Sequence, residues 1–362
     1  MRMMKQVSFV LVLILLSCFH SQGQEVTYEQ EVSAILKKAR IPAISLAYIE
    51  QGEISQNIAI GKKRADGEES VNAKTIFAAA SLSKPIVGYM VMQMVEKGII
   101  DLDTPLVHYA PYPGLEQGDW HGKVTPRMVL SHTTGLPNWS KGEKKFLQEP
   151  GSKFGYSGEG FVWLQHSLEH LTGLSLQQLA EEYVFAPLHM NNSSYLWEEC
   201  FHVNHALPHD KFQEVTGHWK PEKENAAASL QTTAEDYALF LIELSSPTLV
   251  ASATIKEMFR EQVAVKSYMD GTESVSWGLG IGIQQTANGT EYWQWGDNGT
   301  FRAYFTFSPE QQKGLVYFTN SQNGLGITRD LTDLFIGTPQ PGYRWNGYRP
   351  LGFWYRVQEM FH

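Results

Sequence analysis

Cysteine is nearly absent from this chain: Cys18 and Cys200 are the two among 362 residues. Cys18 lies in an N-terminal targeting segment, so a processed chain keeps Cys200 without a partner. That excludes an intramolecular disulfide and a cysteine-based metal site, and leaves stability to an ordinary core, which a chain of this length supplies. Positive charge is short too. Lys and Arg number 29 against 38 Asp and Glu, for a net charge of −9. No basic stripe interrupts that balance, which argues against nucleic acid as a partner. Long apolar runs are missing, since Phe9 to Leu16 stops well short of a bilayer span. Internal repeats and low-complexity segments are missing as well. What remains is 43% hydrophobic and 19% charged, ordinary globular usage, which excludes a disordered, collagen-like or long coiled-coil chain. The length suits two domains or one large one.

Arg2 and Lys5 precede the run Phe9 to Leu16, the pattern of a signal peptide over residues 1–23 with cleavage near Gly23 or Gln24. Leu15-Leu16-Ser17-Cys18 also resembles a bacterial lipobox, in which case Cys18 would carry an outer-membrane lipid anchor. Either reading predicts an exported protein, periplasmic or secreted.

Apolar periodicity predicts an amphipathic helix over Tyr28 to Arg40 and a hairpin of two strands, Ile44 to Ile49 and Ile54 to Ile60, around Gly52. A long apolar helix follows from Ser81 to Lys97, with Pro85 in its first turn and Gly98 after its end. Helix and loop dominate to about Leu244, with helical stretches at Leu164 to Leu171, Leu176 to Tyr183 and Ala234 to Leu244. The last third returns to strands. Trp277 to Gln285 and Glu291 to Gly296 flank the turn signal Asn288-Gly289, then come Phe301 to Phe307, Leu315 to Thr319 and a closing helix, Leu325 to Phe335. The expectation is an α/β (α+β) fold whose antiparallel sheet is assembled from both ends of the chain, with helices inserted between.

Three short stretches can carry chemistry. In Ser81-Leu82-Ser83-Lys84 the first and last residues share a helix face, and a lysine whose pKa is lowered by burial can take a serine proton. Such a pair arises about once by chance in a chain this long, so position matters: this one opens an apolar helix directly after strands. Tyr156-Ser157-Gly158 places a phenol that could act as a base beside an ammonium, or simply pack in a turn. Asp297-Asn298-Gly299-Thr300 ends a strand, where a backbone N–H could meet an oxyanion, or merely closes a hairpin.

Taken together these residues resemble the serine hydrolases of the class C β-lactamase, D,D-peptidase and related esterase family. Ser81-Leu82-Ser83-Lys84 matches the family's Ser-x-x-Lys, Tyr156-Ser157-Gly158 its Tyr-x-Asn with the Asn changed, and Asp297-Asn298-Gly299 lies where Lys-Thr-Gly or His-x-Gly is carried. Ile41 to Ser45, Asp101 to Pro105, Leu130 to Leu136, Pro187 to Met190 and Ser229 to Asp236 extend the match in family order. The resemblance implies a β-lactamase/transpeptidase-like fold over residues 24–336. Its sheet part would comprise about 29–80 and 250–336, its helical part about 81–249, with 337–362 as a tail. It implies Ser81 as the acylated nucleophile, Lys84 and Tyr156 as its proton shuttle, and the N–H groups of Ser81 and Thr300 as the oxyanion hole. Gly158, Asp297, Asn298 and Gly299 would contact a small-molecule or peptide substrate. No metal or cofactor is required.

Two departures stand out. Gly158 lacks the amide that would bind a substrate amide, and Asp297 replaces a cation that would hold a substrate carboxylate. An acid there repels such a carboxylate, which predicts a poor β-lactamase acting on a neutral ester or an amine-bearing amide. Arg302 could replace the cation, but on a regular strand it would face away from Asp297. Other constellations compete. His166-Ser167-Leu168-Glu169-His170 spells an inverted zinc-peptidase motif but reads more simply as a helix surface. Gly155 to Glu159 misses the G-x-S-x-G elbow because Glu159 stands where Gly is required. Asp101 and Asp103 read as a solvated loop. A true β-lactamase or D,D-carboxypeptidase is the nearest alternative, and a binding module without turnover the alternative from another class.

Overall fold

The computed structural model describes residues 27–115, 118–265 and 275–348. The expected signal peptide, residues 1–23, and with it Cys18, falls outside the described residues.

Helix α1 (Tyr28–Ala39) starts at a capping box, in which the Thr27 hydroxyl accepts the Gln30 N–H and the Gln30 side chain accepts the Thr27 N–H. Strands β1 (Ala43–Glu50) and β2 (Glu53–Gly61) form the expected hairpin around Gly52, whose φ of +77° suits glycine. Two short strands, β3 (Phe77–Ala78) and β4 (Gln231–Thr232), pair with each other beside the main sheet. Between them run α2 (Ser83–Glu96), α3 (Pro126–Leu130), α4 (Gly158–Thr172) and α5 (Leu176–Ala180). Helices α6 (Ala234–Ser245) and α7 (Ser252–Phe259) then lead to β5 (Val263–Ala264), β6 (Val275–Trp277) and β7 (Gly282–Thr286). The chain continues through β8 (Gly289–Asp297), β9 (Arg302–Ser308), β10 (Lys313–Thr319), α8 (Thr328–Phe335) and α9 (Pro341–Trp345).

Eight strands make one sheet in the order β2-β1-β10-β9-β8-β7-β6-β5, every neighbouring pair antiparallel. The two ends of the chain meet where β1 pairs β10, as the distribution of strand signals predicts. Both faces are covered. Helices α2 and α6 seal one side over Phe305, Phe307 and Val316, and α1 and α8 seal the other over Leu46, Tyr304 and Tyr317. The central strands β9 and β10 are therefore apolar on both faces rather than alternating.

Three expectations change in detail. The single strand Trp277 to Gln285 is two strands, because the Gly278–Ile281 turn divides it. Gly280 there has φ +81°, and a side chain on it would come within 3.0 Å of the Gly88 Cα on α2. The helix from Ser81 opens with a 3₁₀ turn, Ala80–Leu82, before α2 proper, and the closing helix likewise has a 3₁₀ turn, Gly324–Ile327, ahead of α8.

Candidate active site

Ser81 sits in that 3₁₀ turn, immediately before α2, and is partly exposed. The turn is strained and over-determined. Ala80 has φ +50°, unusual for a residue with a side chain, and stays there because its neighbours are tied from several directions. The Ser83 hydroxyl donates to Ala80 O at 2.6 Å and accepts the Leu230 N–H at 3.0 Å. Tyr237 donates to Leu82 O at 2.9 Å and Tyr195 to Ser83 O at 2.7 Å. The hydroxyl of Ser81 is thus held at the mouth of a rigid turn.

One helical turn on, Lys84 is 1% exposed. Its Nζ donates to Ser81 Oγ at 3.0 Å and to Ala227 O at 2.7 Å, and lies 4.8 Å from the Tyr156 ring centre and 5.7 Å from that of Phe161. No carboxylate offsets its charge in these contacts. Burial alone lowers its pKa from 10.5 to about 7, which makes a free amine accessible near neutrality.

Tyr156 completes the group. Its hydroxyl accepts from Gln294 Nε2 at 3.0 Å and lies near enough to the Ser81 side chain to interact with it. Burial raises its pKa, and these two interactions work against the rise. His132 holds the Tyr156 loop on both sides: Gly155 N–H donates to His132 O at 2.7 Å and Ser157 N–H to His132 Nδ1 at 3.1 Å. An Nδ1 that accepts is unprotonated, and burial together with the nearby Lys84 keeps the imidazole neutral. The His132 ring stacks on Tyr156 at 4.2 Å. The sequence pattern included His132 in a supporting segment without giving it a place in the site; only its position under the phenol shows what it does.

The sheet reaches Ser81 earlier along β8 than the sequence suggests. Gln294, buried on that strand, contacts Ser81 O at 3.4 Å as well as Tyr156, and Gly296 packs so closely that a side chain would come within 2.4 Å of Ala79 O. The stretch facing the Ser81 turn is therefore Gln294-Trp295-Gly296. Asp297 and Asn298-Gly299-Thr300 follow as the end of β8 and its hairpin. The Asn298 N–H closes that hairpin on Phe301 O at 3.2 Å. Because N–H groups alternate between the two edges of an antiparallel strand, the Asp297 N–H points to the opposite edge, away from β9.

The expectation that Arg302 faces away from Asp297 is wrong. The two residues stand on different strands joined by the hairpin and are direct cross-strand partners. Their side chains form an ion pair, and Asp297 also accepts from the Gly299 N–H at 2.8 Å and from the Tyr348 hydroxyl. Asp297 is therefore turned toward Arg302, Gly299 and Tyr348 rather than standing alone. Gly158 opens α4 under a loop: its N–H donates to Asn138 O at 3.1 Å and Oδ1 at 3.0 Å, and the Trp139 indole lies over its Cα. Of the competing motifs, Glu169 accepts from Gln165 at 2.9 Å and from the Leu176 N–H at 3.1 Å, while Asp101 caps its own turn and Asp103 pairs with Arg127 at 2.7 Å.

A sheet sealed by helices on both faces, with a Ser-x-x-Lys turn set against its strand β8 and a tyrosine across from both, defines the β-lactamase-fold serine hydrolases. A family profile described as Beta-lactamase matches residues 28–334, and the chain belongs to that family. Among curated relatives, penicillin-binding protein 4 of Amycolatopsis lactamdurans is 23% identical over 337 residues, covering 85% of this chain and 87% of that one. Among solved structures, the octameric penicillin-binding protein homologue from Pyrococcus abyssi superposes with a TM-score of 0.73 at 21% identity, over 84% of this chain and 76% of that one. D-alanine carboxypeptidase AmpC from Burkholderia cenocepacia does so with a TM-score of 0.69 at 17% identity, over 81% and 92%.

Proposed function

We propose that the protein is an exported serine hydrolase that cleaves an uncharged ester or amide through an acyl-enzyme on Ser81. The observation that carries this reading is the buried Lys84 amine on Ser81 Oγ, with no carboxylate among the described residues to keep it charged. In its neutral form the amine accepts the Ser81 proton as Oγ attacks the substrate carbonyl. Tyr156, beside Ser81, passes a proton to the departing alcohol or amine and is reprotonated from Lys84, so that both groups return to their starting state. Water then attacks the acyl-enzyme, returning the acid product and free Ser81. For the oxyanion, the Ser81 N–H is retained from the sequence reading, and the strand alternation favours the Asp297 N–H as second donor in place of Thr300.

The preference for an uncharged substrate survives the correction to Asp297, for a different reason. Gln294 supplies a neutral amide beside Tyr156, and the guanidinium of Arg302 is already engaged by Asp297. A substrate carboxylate thus gains no free cation from either.

Hydrolysis of p-nitrophenyl butyrate by the chain without residues 1–23, beside its Ser81→Ala variant, tests the reading. Turnover is expected for the wild type, with a loss of at least about a thousandfold in the variant. Equal rates in the two proteins would overturn it. A binding module would retain ligand affinity in Ser81→Ala without either protein turning over, and efficient β-lactam hydrolysis by the wild type would instead favour a true β-lactamase.

A further inference from the structure

The family match stops at residue 334, yet the chain goes on to pack against the end of β8 beside the site. The segment after α8 is fastened to the sheet by a buried network. Glu291 on β8 accepts from Thr338 at 3.1 Å and from Gln340 at 2.9 Å, and the Gly342 N–H donates to Gln284 on β7 at 2.9 Å. Gly342 lies flat on the Trp293 indole, where a side chain would come within 2.2 Å of the ring. So anchored, α9 and the residues after it deliver two aromatic side chains to the end of β8. The Trp345 ring centre is 5.8 Å from that of Trp295 and 5.7 Å from that of Phe154, and Trp295 is itself 4.8 Å from Tyr156. Tyr348 donates to Asp297, the partner of Arg302. Trp295, Trp345 and Tyr348 are all half-buried, so each keeps an exposed surface.

We propose that Trp345 and Tyr348 are specificity-determining residues that wall the leaving-group side of the cleft and select an apolar, uncharged leaving group. This rests on the reading of Tyr156 as the group that protonates the leaving atom, since Trp295, on which Trp345 packs, stands beside that phenol. Its surface is made of aromatic rings. Its polar groups are spent on one another: the Tyr348 hydroxyl on Asp297, and Asp297 on Arg302. An entering carboxylate would lose its water without gaining a partner, whereas an apolar ring loses little and gains contact.

The test holds the acyl group constant and changes only the leaving group. Methyl 3-acetoxybenzoate and 3-acetoxybenzoate differ by one negative charge, and turnover of both is measured for wild type, Trp345→Ala, Trp345→Phe and Tyr348→Phe. Labelling of Ser81 by a small fluorophosphonate is measured alongside as an independent readout of the nucleophile. Wild type is expected to prefer the neutral ester by at least about tenfold in kcat/KM. Trp345→Ala is expected to lose about tenfold on the neutral ester through KM, with kcat and labelling nearly unchanged. Trp345→Phe is expected to recover most of that loss, and Tyr348→Phe, which frees Asp297 without removing the ring, to keep the preference. An active wild type with no preference, or a Trp345→Ala variant with unaltered KM, overturns this inference alone. A uniform fall in kcat, labelling and both substrates would mean that the segment only supports the fold, which also overturns it. If wild type is neither labelled nor active, the hydrolase reading and this inference fall together.

Discussion

Replacing Lys84 by Met is expected to abolish turnover and at the same time raise the melting temperature. The loss of turnover follows from position: in the proposed mechanism Nζ, 3.0 Å from Ser81 Oγ, is the base, and a thioether cannot accept the proton. The gain follows from the same burial. Lys84 is fully enclosed, and its pKa falls from 10.5 to about 7 because the charged form is poorly solvated there. At neutral pH the unfolded chain holds that proton tightly and the folded chain does not, so folding costs on the order of 4 kcal/mol at this residue. Methionine fills a similar volume without the charge. Against this gain stands Ala227 O, which loses its donor at a cost of about 1 to 3 kcal/mol. The net expectation is a rise of several degrees, the usual trade between stability and activity at a catalytic group. The sign with pH can be checked as well. Between about pH 7 and 10.5 the unfolded state binds more protons at Lys84, so wild-type stability at this residue rises with pH and its deficit against Lys84→Met narrows. Acylation by wild type should rise as pH increases through about 7, the free amine being the active form. Melting curves and acylation rates from pH 6 to 10 decide both points. A variant less stable than wild type at pH 7, or acylation flat with pH, contradicts the argument.

Restoring the family's asparagine at position 158 is expected to damage the enzyme. A Cβ on Gly158 would come within 2.8 Å of both the Asn138 carbonyl oxygen and the Trp139 indole. One of these is backbone and cannot swing aside, so the loop over α4 must shift. A forced shift of this kind costs about 2 kcal/mol. Tyr156 lies two residues upstream, on a loop placed by His132, and a displacement of about 1 Å at a reacting group can lower the rate a hundredfold. Gly158→Asn should therefore melt lower and turn over at about one hundredth of the wild-type rate. Adding Trp139→Ala should recover only part of the stability, because the Asn138 carbonyl contact remains. Gly158→Asn with full activity and stability would mean that the glycine is not required by packing.

The structure also shows where reading the sequence stopped short, and each case has one cause. Ser81 and Lys84 were legible because residues three apart on a helix share a face whatever the rest of the protein does. Tyr156 was legible through its motif, but not through any local pattern linking it to Ser81, 75 positions earlier. Gln294, His132 and Trp139 reach the site through long-range packing, and no periodicity marks them. Arg302 was misplaced because counting residues along a strand gives facing only within that strand; across a hairpin the register decides. The β8 stretch was placed three residues late for a related reason. Its end was read from the acidic turn, whereas the contacts with Ser81 and Tyr156 come from Gln294.

The family came through the resemblance of its motifs; by itself, the sequence also determined most of the element order, the hairpin around Gly52 and the sheet built from both ends of the chain. These rest on local propensity, on period and on short spacing, all of which act between near neighbours. Tertiary structure alone decided the state of Lys84, the neutrality of His132, the pairing of Asp297 with Arg302 and the arrival of Trp345 and Tyr348 beside the site. Each of those depends on what is excluded from water and on which strand lies next to which, quantities that exist only once distant segments have packed together.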